Sequence, residues 1–214
     1  MSVEDDKAER PPPTTIAEAV GGPLGMAETA IPAVAFVVTY TVTGSNTNAS
    51  AVVAVAIALV LTMARLVRRE SPRHALSGLF GVAFAAFIAT RSGKAENFFL
   101  PGLLINAAMV SALVISIVVR WPLIGVIVTN LDGEDSGWRN DPSRAQAFRR
   151  ATWLWAGLFS ARLVVQLPLY LAGAVVALGV ARTAMGLPLF ALGLWITWLL
   201  VRGVRAAPAA AAQT

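Results

Sequence analysis

Long apolar blocks separated by short polar turns leave this chain few ways to fold. The blocks run over 28–43, 49–67, 75–90, 98–119, 151–171 and 186–202. A helix of roughly 20 apolar residues crosses a hydrocarbon core of about 30 Å. Lipid also offers no hydrogen bonds, so a spanning backbone must satisfy its own polar groups. Composition points the same way. Of 214 residues, 57% are hydrophobic and 14% charged, and the mean hydropathy is +0.68. Soluble domains carry about 25% charged residues, so this chain lacks the polar surface to be one. The expected fold is all-α, a polytopic transmembrane helical bundle of about six spans filling 28–205.

The charges set an orientation. With the N-terminus inside, the cytoplasmic side receives Lys7, Arg10, Arg65, Arg68, Arg69, Arg73, Arg120, Arg139, Arg144, Arg149, Arg150, Arg202 and Arg205. The other side receives Arg91, Lys94 and Arg182, and Arg162 falls within a span. This imbalance fits the positive-inside rule and predicts both termini in the cytoplasm. Residues 1–27 read mostly as a disordered cytoplasmic tail, with acidic residues at its start and a Pro11-Pro12-Pro13 run, and 206–214 as a second, Ala-rich one. The start lacks the basic region of a cleavable signal peptide. The apolar piece 121–131 is too short to span and reads as an interfacial extension. A hydrophilic cytoplasmic loop is expected over 132–147. The segment 172–185 has two readings, a continuation of the fifth helix or a piece lying at the outer surface. Gly78, Gly81, Ala83, Ala85, Ala86 and Ala89 suggest close helix packing by the third block. Trp121, Trp138, Trp153, Trp195 and Trp198 look like interface anchors.

The sequence holds no cysteine and a single histidine, His74. That removes disulfides, thiolate metal sites, iron–sulfur clusters and cysteine nucleophiles. The net charge of +5 is distributed at the ends of apolar blocks, where it serves topology, and gives no support to nucleic-acid binding. No paired acids, Ser–Lys or Ser–His arrangement or phosphate-cradling glycine loop is present. The expectation is a non-enzymatic protein without a catalytic site, metal or cofactor.

Three polar residues stand out inside the blocks. Arg162 lies twelve residues beyond Arg150, about 18 Å along a helix. A charge at such depth costs about 2.5–3.5 kcal/mol on insertion scales, so it needs a partner or a wet cavity. Gln166 follows one turn later on the same face, with Trp155 and Phe159 along a similar stripe. Asn106, in the middle of the fourth block, is a candidate partner for Arg162. Together Arg162, Gln166 and Asn106 form a candidate intramembrane polar site, for an anionic solute or lipid headgroup. The alternative is an interhelical hydrogen-bond lock or a snorkelling side chain. Glu28 reads as a boundary residue able to pair with a basic residue across the bundle.

Some motifs carry a resemblance. RWPLIG at 120–125 closes the fourth block, and Phe148-Arg149-Arg150, Trp155-Ala156 and Phe159 follow the hydrophilic loop. With Gln166 and the pair Pro32 and Phe36, this resembles the bacterial intracellular septation protein A family. The chain looks more closely like an uncharacterised actinobacterial membrane-protein family, a domain of unknown function, through SGKAENFFLPG at 92–102. The resemblance covers 28–205. It implies a multi-pass protein of the bacterial cytoplasmic membrane that supports envelope maintenance, division or elongation by binding other membrane proteins within the lipid bilayer. Arg162 matches no charged position of the septation family. The alternative function is a small transporter, or a subunit of one, with a midplane site around Arg162.

Overall fold

The computed structural model describes residues 22–68, 72–132 and 136–205, all-helical and without a strand among them. The helices are α1 (Gly22–Val42), α2 (Thr47–Val67), α3 (Pro72–Ser92), α4 (Leu100–Val118), α5 (Leu123–Asp132), α6 (Pro142–Leu171), α7 (Val175–Ala184) and α8 (Leu187–Arg205). Short 3-10 turns, Ala95–Phe99 and Ser136–Asn140, precede α4 and α6. Four stretches are long and apolar enough to cross a membrane: Thr47–Val67, Ala95–Val118, Pro142–Leu171 and Val175–Arg202. Shorter apolar helical runs occupy Ala30–Val42 and Leu76–Ser92. Their outer faces are apolar as well. Phe80, Val164 and Leu171 are 73%, 72% and 75% exposed, a surface that water would penalise and lipid would not. The fold is that of a helical protein integrated into a membrane.

The helices sort into two three-helix layers. In the first, α2 packs on both α1 and α3; in the second, α6 packs on both α4 and α8. In the first layer, α2 buries Ser50, Ala51, Ala54, Ala58 and Thr62 at helical spacing, and α3 buries Ala85, Ala86 and Ala89. Small side chains let these backbones approach closely. The glycines expected to share that task do not. Gly78 and Gly81 face open space, where an added Cβ would meet nothing within 4 Å.

The layers meet chiefly at one end, through the first 3-10 turn and α7. There Phe36 of α1, fully buried, stacks on Phe98 with ring centroids 4.1 Å apart and meets Phe99 edge-on at 6.2 Å. Val175 and Leu178 of α7 complete the cluster. Tyr170 donates its hydroxyl proton to Asn97 Oδ1, and the Asn97 amide donates to Ser92 Oγ at 2.8 Å. These bonds pin the 3-10 turn between α3 and the end of α6.

Several expectations change. Residues 22–27, placed in a mostly disordered tail with an earlier start of the first block left open around Gly22 and Pro23, are the first turns of α1; Pro23 is tolerated in a first helical turn because its missing N–H has no partner there. The rest of that tail and residues 206–214 lie outside the described residues. The expected loop 132–147 is largely helical. Asp141 caps α6 by accepting from the Ser143 and Arg144 amides at 2.8 and 3.3 Å, with Pro142 in the first turn. Trp138, expected as an interface anchor, is 3% exposed and packs edge-on against Phe148 at 5.1 Å. Gly125 of α5 admits this pair, since an added Cβ would lie 2.9 Å from Trp138 and 3.1 Å from Phe148. Residues 172–185 follow neither reading. Gly173, at φ +65°, turns the chain with Ala174 N–H donating to Leu169 O at 3.0 Å, and α7 packs back against α6 and α1.

Phe36→Ala should therefore loosen the joint between the layers. We expect a loss of about 3 kcal/mol, read as a lowered melting temperature of the purified protein. A shift of under a degree would show that the cluster does not hold the layers together.

Candidate functional site

Below the aromatic cluster the two layers stand apart, and a cavity of 720 Å³ lies between them. Ala30, Ala33 and Val34 of α1 form one wall, and Gly102, Ile105 and Asn106 of α4 face it. Arg162 and Gln166 reach it from α6, Arg182 and Thr183 from α7, and Leu187 and Phe190 from α8. Counted from the α7 end, the lining of α1 lies about 12–18 Å down the helix, that of α6 about 8–14 Å and Arg182 about 11 Å. The cavity therefore lies about midway along these helices and is open on one side, where Arg182 and Thr183 are exposed.

Its floor is a broken helix. α7 and α8 run along α6 in succession and are interrupted at Met185 and Gly186. Pro188 has no N–H, so it cannot continue the ladder from Ala184. Gly186 permits the tight passage, since a Cβ there would stand 3.2 Å from the carbonyl oxygens of both Arg182 and Thr183. The Gly186 carbonyl accepts two bonds, from the Phe190 amide at 3.2 Å and from Arg162 Nη2 at 2.9 Å. Gly186 brings no side chain to cap the first turn of α8.

The three residues singled out in the sequence all line this space. Arg162 is half-buried, with its guanidinium carbon 5.6 Å from the centroid of the Phe159 ring. Gln166 is 3% exposed and Asn106 9%. Among the described residues neither amide side chain has a hydrogen-bond partner. Asn106, expected as the partner of Arg162, shares the cavity with it and is not bonded to it; the Gly186 carbonyl takes that role.

Sequence reasoning missed Arg182. The charge pattern set it at the outer surface, but the return of α7 into the bundle carries it to the cavity. Its guanidinium lies on the backbone of Gly102, where an added Cβ would come within 3.0 Å of Cζ, and 5.8 Å from the Phe99 ring. The signal in the sequence was Gly102, beside Pro101 in an apolar block, and its meaning depended on α7. Two guanidiniums thus converge with two amides. Among the residues whose side chains are described, no carboxylate pairs with either arginine. Glu28 lies on α1, with its side chain outside that set. Guanidinium and amide donors together suit an anion.

Trp155 and Thr197 brace the wall behind Phe190. The indole Nε1 donates to Thr197 Oγ1 at 2.9 Å in a buried contact, and Phe190 stands edge-on to Trp155 at 5.1 Å.

An integral membrane protein built of apolar helices is the class that this fold defines. The chain belongs to the family described as "Protein of unknown function (DUF3159)", whose model matches residues 20–208. No curated protein and no solved structure matches the chain, so the resemblance to the septation protein A family gains no support from them.

Thr197→Val would leave the indole N–H without an acceptor. We expect a cost of about 1 kcal/mol, seen as a lower melting temperature with a shifted tryptophan emission. An unchanged spectrum and melting temperature would show that the bond does not brace the wall.

Proposed function

We propose that this is a non-enzymatic six-span protein of the bacterial cytoplasmic membrane, both ends inside, that binds an anion in the cavity between its two helical layers. The observation that carries this reading is the convergence of Arg162 and Arg182 with the unpartnered amides of Gln166 and Asn106. Guanidinium groups bind oxyanions through charge-assisted hydrogen bonds, which strengthen where water is scarce. The depth of the cavity corresponds to the middle of a hydrocarbon core of about 30 Å, where charge is functional by default.

The architecture favours movement of the anion over static binding. Discontinuous helices at a midplane site between two groups of helices are the arrangement transporters use for alternating access. Here the break lies between α7 and α8, and the aromatic cluster closes the cavity at the α7 end. The transporter reading therefore leads. The envelope role through protein partners rests on the resemblance to the septation protein A family alone.

Binding is tested with the purified chain in an uncharged detergent, by thermal stabilisation with phosphate, sulfate and anionic amphiphiles. At least one class should stabilise the wild type, and Arg162→Gln with Arg182→Gln should abolish the effect. The control Arg91→Gln should retain it. If Glu28→Gln and Arg162→Gln each destabilise the protein and the double variant is no worse than either, the charge belongs to an internal ion pair and the reading falls.

The topology has its own test. Because the chain has no cysteine, single cysteines report cleanly. Cysteines replacing Asn46 and Lys94 should react with an impermeant maleimide from outside intact cells, and one replacing Asn140 only after lysis. The reverse pattern would overturn the orientation.

A further inference from the structure

The cavity has a side door. Of its lining, Ile31 and Val34 on α1 are each 43% exposed and Ile105 on α4 is 62% exposed. These apolar side chains place the mouth between α1 and α4, two helices that make no substantial contact. In a bilayer this mouth faces acyl chains. A volume of 720 Å³ belongs with ligands of many atoms, since small-molecule sites occupy about 300–1,000 Å³, and it far exceeds the need of a bare ion. The wall beside the mouth is apolar, and Ala30 and Ala33 leave it wide. The same space holds the donors, and Gln166, 3% exposed, presents an amide without a partner among the described residues.

We propose that the ligand is the phosphate headgroup of an amphiphile, held by Arg162, Arg182, Gln166 and Asn106, with its hydrocarbon tail passing between α1 and α4 into the bilayer. This rests on the anion-binding reading above and specifies the ligand. The polar end replaces its water with guanidinium and amide donors. The tail never leaves hydrocarbon, so its transfer costs little. A free phosphate would satisfy the same donors but would leave the mouth and the apolar wall without a role.

The test uses the full chain in an uncharged detergent with three probes: dioctanoyl phosphatidate, dioctanoylglycerol and inorganic phosphate. Phosphatidate should bind at least about tenfold more tightly than phosphate, and dioctanoylglycerol should not bind. Loss of one charge-assisted contact, worth about 1.5–3 kcal/mol, should weaken phosphatidate about tenfold or more in Arg182→Gln. Gly102→Ala should act in the same direction with every charge retained, because its methyl group displaces the Arg182 guanidinium and meets only the end of a flexible side chain. It carries the test if Arg182→Gln fails to fold. Ile105→Trp, at the mouth, should weaken phosphatidate and leave phosphate unaffected. If phosphate binds as tightly as phosphatidate and Ile105→Trp changes neither, the amphiphile is wrong and the anion site stands. Binding of neither probe overturns both readings, and phosphatidate binding that survives Arg182→Gln and Gly102→Ala unchanged overturns this one.

Discussion

A carbonyl released by a helix break inside an apolar bundle has no water to turn to. Its hydrogen bond must come from the protein, and an unsatisfied group in such surroundings costs several kcal/mol. At the break between α7 and α8 the Gly186 amide reaches the Thr183 carbonyl at 3.1 Å, and the Gly186 carbonyl, already bonded by Phe190 within α8, takes a second bond from Arg162. The arginine that looks so expensive in an apolar block thus finds a backbone acceptor at the bend. In return the bend brings Arg182 and the start of α8 to the same space. Removing the break would leave α7 and α8 as one straight helix and the cavity without its floor.

The same end of the bundle has a second dependence, on the segment 92–102. Asn97 is tied to Tyr170 and Ser92, Phe98 and Phe99 enclose Phe36, and Gly102 makes room for the Arg182 guanidinium. These contacts join the layers above the cavity while leaving α1 and α4 apart below it. The family description names no chemistry, yet packing gives this segment a definite task, to roof the site and to position one of its two cations.

Much of the candidate site was legible from the residues. Arg162 and Gln166 were visible because a charge and an amide one turn apart in an apolar block must share a face, and Asn106 because an amide in mid-block needs a reason. Arg182 was not legible. A cation near an interruption in an apolar run reads as a boundary marker, and the count of charges rewards placing it outside. Trp138 failed for a related reason, since an aromatic in a hydrophilic loop resembles an anchor until Gly125 and Phe148 are seen to enclose it.

The sequence by itself determined the helical membrane class and the position of most helices. Lipid forces the backbone to satisfy itself, and that requirement is local, so the length and polarity of each block reveal it. The tertiary structure alone decided which polar side chains meet. That outcome depends on the turn at Gly173, the break at Gly186 and the packing of α7 against Val37 and Phe99. The turn and the break redirect the chain locally, and the packing of α7 then sets neighbours far apart in sequence, by geometry that no single block contains.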